Sequence, residues 1–407
     1  MALAAAVTAV MASPVLSAPS ERVFGMAIVG RHHDPFTVMA QFDGAPRPAI
    51  YTQPVTDVPG GWIARMIGGA AAYNAIVLLS FPLAAAAAFL LARYLAIGTA
   101  GAAFAAMAFA FSPFHIAHAA YHPHIAQVQW IPLFLLALWR SLDLASPARI
   151  ALLGGAVVLV TLSNFYGGLI AAVIAPGAIA ARMVFGSHDA GIRRHLLVTL
   201  SALSIIAGAG IGYVALRAPE LASNRAAFAF RLSDVAKYSA APISFVTPPV
   251  ANPILGPSAR RSLEAAGVGD GLLEQQVYLG WGLIALALVA AVSWATNRRG
   301  YLPMIVSVGA IAAFFAIWPP AWLYEPLPMF RSFARFGVVV QLMTALMAGL
   351  GLERLWRQHY WGRIAAIALV VLAVAEYTVM PADMSRRVPA AERAGIEAWH
   401  RITKGLK

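Results

Sequence analysis

The segment Arg31-His32-His33-Asp34 holds the first residues whose types and spacing could do chemistry. It lies in the polar stretch 19–69, which follows the first apolar run of the chain. An acid at such a place can stay solvated while it faces a reactant held in a membrane. We therefore predict that Asp34 is the working carboxylate of the protein and that His33 binds substrate beside it.

Asp34 also has a structural interpretation that is compatible with the first. Asp followed by Pro35 is typical of a helix N-cap with proline at N1, and a cap leaves one carboxylate oxygen free. His33 could orient Asp34 or be an ordinary interface residue. Asp43 and Asp57 are the competing acids, and Asp57 lies among prolines and glycines, where Asp is common for conformational reasons.

A second group consists of four histidines between residues 115 and 124. His118 and His122 are four residues apart, so a helix would place them on one face, a geometry that can hold a metal ion. Two imidazoles alone make a poor metal site, and Pro123 interrupts the helix. Hydrogen bonding to a phosphate or a sugar hydroxyl is the favoured interpretation, and a satisfied interfacial cluster is the alternative.

Two arginines form a third group just before a late apolar run. Arg331 and Arg335 are one turn apart and share a face if the segment is helical. Guanidinium groups beside aromatic residues suit a lipid monophosphate or diphosphate at a membrane surface. The alternative is that both arginines anchor lipid headgroups.

The long polar stretch 217–275 supplies a fourth group. Lys237 and Tyr238 are candidate substrate-binding residues, and Glu274 closes the stretch. Glu274 could bind a sugar hydroxyl or cap the helix that follows, because acids are favoured at helix starts. Glu376, within the last apolar run, is a functional candidate by default, whereas Glu353 has neighbouring arginines and is interpreted as structural.

Composition determines the kind of elements that carry these residues. Of the 407 residues, 60% are hydrophobic and 11% are charged, against roughly 25% charged in soluble domains. The apolar runs are too long for barrel strands, so they predict an all-α polytopic membrane protein. The net charge of +12 is typical of basic loops at a membrane and does not indicate nucleic-acid binding. The absence of cysteine excludes disulfides and thiolate metal sites.

Eleven transmembrane helices can be drawn. We expect the first apolar run to be retained rather than cleaved as a signal peptide, and we expect a break between two spans at residues 163–168. The predicted spans are 2–18, 70–92, 97–113, 126–142, 149–164, 167–185, 195–216, 276–296, 301–318, 337–356 and 364–381.

Arginines give the orientation. They concentrate in alternate short turns, which places the N-terminus in the cytoplasm and the longer loops on the outer face. The sequence therefore predicts a membrane domain over residues 1–383 and a short outer tail over 384–407. The predicted outer loops are 19–69, 114–127, 217–275 and 319–336. In a bacterium these loops would be periplasmic and the membrane would be the inner one.

Six motifs in this order resemble the GT-C glycosyltransferases, in a branch of bacterial membrane proteins that is mostly uncharacterised. The resemblance covers residues 14–383. The motifs are Tyr73-Asn74, Phe111–Phe114 leading to His118 and His122, Trp130–Leu133, Glu274 with Tyr278–Gly280, Arg331 and Arg335 with Gly349–Leu352, and Glu376 with Pro381.

The resemblance implies a GT-C-like helix arrangement and sugar transfer from a polyprenyl-phosphate donor on the outer face. It implies that Asp34 is the general base of an inverting reaction and that Arg331 and Arg335 stabilise the departing lipid phosphate. No cofactor is firmly implied, and a divalent cation is left open. The expected partners are the lipid-linked sugar and membrane lipids, with no nucleic acid.

Two other functions are weighed against the transferase. A noncatalytic subunit of a membrane protein complex is one, since a single acid and a short tail depart from the pattern of the family. A transporter or flippase of a lipid-linked substrate is the other. Polar residues concentrated in loops, rather than along the spans, argue against transport.

Overall fold

The computed structural model describes residues 1–26, 34–45, 53–185, 192–216, 219, 230–297, 300–325 and 329–390. Helices predominate, and one helix overlaps each of the eleven predicted spans. These helices are α1 (Ala2–Met11), α5 (Gly69–Tyr94), α6 (Thr99–Ala110), α8 (Trp130–Asp143), α9 (Pro147–Ser163), α10 (Phe165–Phe185), α11 (Ile192–Leu216), α14 (Trp281–Asn297), α15 (Leu302–Ile317), α17 (Gly337–Trp356) and α18 (Tyr360–Tyr377).

The remaining helices are short and lie between the apolar ones. They are α2 (Ser13–Leu16), α3 (Asp34–Phe42), α4 (Pro54–Ile67), α7 (Pro113–Ala119), α12 (Leu232–Lys237), α13 (Gly256–Ala265) and α16 (Ala321–Tyr324). Among the described residues, four helical segments are long and apolar enough to cross a membrane, namely Gly69–Tyr94, Phe165–Phe185, Phe333–Trp356 and Tyr360–Tyr377. A fifth crossing is obtained if α6 and α7, which meet at a bend of 40°, form one broken span. The count of eleven crossings therefore stays a prediction.

Helix α17 is the centre of the bundle, and 83% of its apolar window is buried. Small residues allow its close packing, because Gly349 on α17 faces Gly101 on α6. A Cβ on either glycine would collide with the backbone carbonyl of the other. Close approach at paired small residues is the usual way in which apolar helices associate in membranes.

A two-stranded antiparallel sheet joins the two ends of the helical region. Strand β1 (Arg22–Phe24) follows the first helices, and strand β2 (Ser385–Arg387) follows the last one, with Val23 opposite Arg386. The side chain of Asn74, at the start of α5, accepts a hydrogen bond from the Phe24 backbone N–H at 2.9 Å. The start of the predicted tail is therefore part of the fold, beside the first polar stretch.

Candidate functional site

Predicted site residues from separate parts of the chain meet at a buried ion pair between Arg335 and Glu274. Nη2 of Arg335 lies 2.6 Å from Oε1 of Glu274, and Nε donates to both carboxylate oxygens at 3.1 and 3.2 Å. The two side chains are only 11% and 6% exposed. This forked geometry is the strong form of a guanidinium–carboxylate contact. Glu274 thus has a buried cation as its main partner rather than the backbone of the next helix.

The histidine pair adjoins this ion pair. His118 is fully buried, and its Nε2 lies 3.8 Å from Oε2 of Glu274. Its Nδ1 lies 3.4 Å from Nδ1 of His122, so the two histidines share a face as their spacing predicts. Among the described residues, no group of three or more His, Cys, Asp or Glu side chains is arranged to hold a metal ion.

Helix α7 positions His118. The sequence analysis did not predict this helix, because the histidines made residues 114–127 resemble a loop. The apolar α6 ends at Ala110, and a new helix begins at Pro113. Ser112 caps α7 by accepting a hydrogen bond from the His115 N–H at 3.4 Å, and proline occupies N1. A Ser-Pro cap signal is visible in the sequence and could have identified this helix.

Tyr166 fixes the segment that carries Arg331 and Arg335, residues 329–336, which we call the arginine segment. Its hydroxyl accepts hydrogen bonds from the backbone N–H groups of Arg331 at 3.1 Å and Ser332 at 3.2 Å. Its ring face lies 4.2 Å from Cζ of Arg335, within cation–π distance. Tyr166 occupies the start of α10, directly after the predicted break, where Asn164 is extended and its side chain caps Gly167 at 3.1 Å. The break is therefore a true boundary between two helices.

The condition under which the two arginines would share a helical face is not met. Among the described residues of the segment, the regular turn is the 3₁₀ turn Phe333–Phe336, and Arg331 precedes it. The Tyr166 hydroxyl takes the backbone N–H groups that a longer helix would use. The two guanidinium groups consequently have different neighbours.

The guanidinium of Arg331 lies between two aromatic rings. Its Cζ is 4.1 Å from the centroid of Phe230 and 4.7 Å from that of Tyr238. Nζ of Lys237 is 5.5 Å from the same Tyr238 ring and 3.3 Å from an Asp270 oxygen. Within the described part of the chain, no carboxylate lies within ion-pair distance of Arg331. Arg331, Lys237 and Tyr238 thus form a second cluster next to the buried pair, which we call the Arg331 cluster.

The other predicted residues are placed only in part. His33 lies outside the described residues, and Asp34 begins α3, but its side chain is not described. The proximity of Asp34 to Arg331 therefore stays a prediction. Of the competing acids, Asp43 lies against the start of α5, where a Cβ on Gly69 would collide with its carboxylate. A carboxylate at a helix N-terminus is stabilising, which makes Asp43 structural.

Asp57 has a larger role than its turn-rich surroundings indicated. Its Oδ1 lies 2.6 Å from Nε2 of His124, and both side chains are mostly buried. Its Oδ2 accepts a hydrogen bond from the Gln53 N–H at the start of α4. The neighbouring Thr56 donates to the Ser163 carbonyl at 3.0 Å. The first turn of α4 is thus fixed to His124 and to the end of α9.

Glu376, a functional candidate from sequence, is a helix cap. Its carboxylate accepts hydrogen bonds from the Tyr278 hydroxyl at 2.9 Å and from the backbone N–H groups of Trp281 and Gly282, both at 3.2 Å. These N–H groups belong to the first turn of α14 and have no partner within their own helix. Glu376 therefore joins α18 to α14 and is structural.

Residues 65–377 match the model of a family that is described as a domain of unknown function, DUF6311. The chain belongs to the DUF6311 family. No curated protein matches its sequence.

Solved structures show which fold this DUF6311 protein has. The oligosaccharyltransferase of Archaeoglobus fulgidus in its apo form is similar with a TM-score of 0.57 and 15% identity, over 94% of this chain and 55% of that one. ArnT from Cupriavidus metallidurans bound to undecaprenyl phosphate has a TM-score of 0.52 and 14% identity, over 87% of this chain and 60% of that one. The mycobacterial arabinofuranosyltransferase AftD has a TM-score of 0.52 and 15% identity, over 92% of this chain and 26% of that one.

These similarities confirm the resemblance and the fold class. The DUF6311 chain has the all-α membrane fold of the GT-C glycosyltransferases. It spans 55% of the oligosaccharyltransferase chain and 60% of ArnT, slightly more than half of each, and 26% of AftD.

Proposed function

We propose that this DUF6311 protein transfers a sugar from a polyprenyl-phosphate donor to an acceptor hydroxyl. The reaction would take place on the outer, periplasmic face of a bacterial inner membrane, with the N-terminus in the cytoplasm. The observation that carries the proposal is the Arg331 cluster, a stacked cation beside Lys237, next to the buried Arg335–Glu274 pair in a GT-C fold. ArnT, which shares the fold, is bound to undecaprenyl phosphate.

The two arginines have different roles toward the lipid phosphate: one positions the segment and the other binds the phosphate. Arg335 is held by Glu274, which balances its charge, and by the Tyr166 ring, so its main part is to position the segment that carries Arg331. Among the described residues, the Arg331 guanidinium contacts aromatic rings and no carboxylate, which leaves its side-chain N–H donors for a phosphate oxygen. Lys237 can assist, because its ion pair with Asp270 is exposed and such surface pairs contribute little.

The reaction is an inverting displacement at the anomeric carbon. The acceptor oxygen forms its bond to that carbon as the bond to the phosphate oxygen breaks, and the lipid leaves as polyprenyl phosphate. The acceptor proton passes to Asp34, the proposed general base. Arg331 stabilises the negative charge that develops on the leaving phosphate, and it does so best when water is excluded. His118, His122 and Tyr238 are the proposed contacts for the sugar and the phosphate, and Glu274, while paired with Arg335, is proposed to accept a hydrogen bond from a sugar hydroxyl.

The test is the binding of undecaprenyl phosphate to the full chain in nanodiscs that contain phosphatidylglycerol. We expect Arg331→Ala to weaken binding about ten- to a hundredfold, because hydrogen bonds to a charged group contribute about 1.5–3 kcal/mol. Arg363→Ala is the matched control and should bind like wild type. Wild-type protein that takes up no undecaprenyl phosphate, or an unaffected Arg331→Ala, would contradict the proposal.

A further inference from the structure

A groove of about 460 Å³ lies at the opposite end of the bundle from the candidate site. It is formed by the start of α6, the last turn of α17 and one face of α18. The 20 residues of α17 separate this end from Arg335, which precedes it. A helix of that length spans roughly 30 Å, the thickness of the hydrocarbon core of a bilayer. The groove therefore opens at the other membrane face.

The walls of the groove are apolar and face the lipid. Leu352 and Ala366 are buried at its floor, whereas Ile367 is 53% and Val371 is 61% exposed. Only 22% of the α18 window is buried inside the protein. Exposed aliphatic side chains on a membrane helix contact acyl chains, so one acyl chain is the occupant that these walls fit. The volume falls within the range of ordinary small-molecule sites.

The mouth of the groove is polar and has one paired acid and base, Glu353 and Arg357. Arg357 lies 3.7 Å from the carboxylate of Glu353, and its side chain is 76% exposed, so most of its donors face outward. The Glu353 carboxylate lies against Gly98 at the start of α6, which has no side-chain cap. Arg93 donates to the Ile97 carbonyl at 2.7 Å, next to Gly98.

We propose that this groove binds an anionic phospholipid of the leaflet opposite the candidate site. Its acyl chain lies along α18, and its phosphodiester group contacts the exposed side of Arg357, with the nearby Arg93 adding positive potential. Basic pockets between transmembrane helices bind anionic headgroups in this way. A free phosphate would leave the apolar walls unfilled. A zwitterionic lipid has the same phosphodiester group, but its choline cation opposes the attraction to the arginines.

The experiment compares three probes on the full chain in detergent: phosphatidylglycerol, phosphatidylcholine and inorganic phosphate. Thermal stability and native mass spectrometry report the binding of each. Arg357→Ala removes the headgroup contact, and Val370→Trp fills the groove with an indole. Arg194→Ala is the matched control, an exposed arginine on a different helix.

We expect phosphatidylglycerol to stabilise wild type and Arg194→Ala, and to be retained on both, whereas the other two probes have little effect. Arg357→Ala should bind phosphatidylglycerol about tenfold more weakly, and Val370→Trp should lose retention. Equal binding of both lipids, stabilisation by inorganic phosphate alone, or full retention by Val370→Trp would overturn the inference. Arg331→Ala should retain phosphatidylglycerol normally, so the result is independent of the proposed transferase.

Discussion

At the scale of the residue, the environment of each charged group distinguishes structural roles from chemical ones. Glu376 and Asp43 meet the starts of helices, and Glu274 meets a buried guanidinium, so these carboxylates have fixed partners. Arg331 meets aromatic rings only, within the described part of the chain. A cation without a carboxylate partner is the natural place for an anionic ligand, and this contrast is what directs the lipid phosphate to Arg331 rather than to Arg335.

The proposed role of Asp34 as general base can be separated from its predicted capping role by one substitution. Asn caps helices about as well as Asp does, but it accepts no proton. We expect Asp34→Asn to keep its expression, assembly and thermal stability while sugar transfer falls by about 10²–10⁴-fold. The measurement is transfer from a polyprenyl-phosphate sugar in membranes, alongside size-exclusion chromatography. A fully active Asn variant would remove Asp34 from the mechanism.

At the scale of the element, the start of α10 controls the arginine segment. Four contacts run from Tyr166 to this segment: two hydrogen bonds to its hydroxyl, one ring contact to Arg335 and one edge contact to the Phe330 ring, whose centroid is 5.0 Å away. The hydroxyl and the ring can be tested separately, because phenylalanine keeps the ring.

Tyr166→Phe should weaken the binding of undecaprenyl phosphate about tenfold and leave the fold intact. It leaves the N–H groups of Arg331 and Ser332 without their acceptor, at a cost of about 1–3 kcal/mol for each that stays buried. Tyr166→Leu should weaken binding further, because it also removes the contact to Arg335. Tyr324→Phe is the control, since no hydrogen bond to the Tyr324 hydroxyl is found among the described residues. Equal binding by wild type and Tyr166→Phe would show that the hydroxyl does not position Arg331.

Hydropathy was sufficient to locate the long helices, and local signals were not sufficient to assemble the site. Each predicted span coincides with a helix because burial in an apolar medium requires a long apolar run. The pairing of Glu274 with Arg335 joins residues 61 apart, and no local pattern encodes it. The partner of Glu376 could not be predicted for the same reason, since the helix that it caps begins 95 residues earlier, at Trp281.

At the scale of the whole molecule, Asn74 joins the two ends of the bundle. Its side chain binds the Phe24 N–H at 2.9 Å, the Pro19 carbonyl at 3.0 Å and the Arg22 carbonyl at 2.8 Å, so it holds β1 where β2 can pair with it. The side chain is 3% exposed. The hydrogen bond from the Phe24 N–H is buried, whereas the two to carbonyls are partly buried, so removal of the amide leaves at least the Phe24 N–H without its acceptor.

Asn74→Ala should destabilise the protein by roughly 2–4 kcal/mol, because it leaves buried backbone groups unpaired. It should also expose the peptide bond after Arg22 to trypsin. Ser385→Ala is the matched control: it removes only the partly buried hydrogen bond from Arg22 at 3.0 Å and should change stability by less than about 1 kcal/mol. Thermal unfolding and limited trypsin digestion measure both effects. If Asn74→Ala were as stable and as protease-resistant as Ser385→Ala, the sheet would close the bundle without Asn74, through its own backbone hydrogen bonds and the packing of Val23 and Phe24.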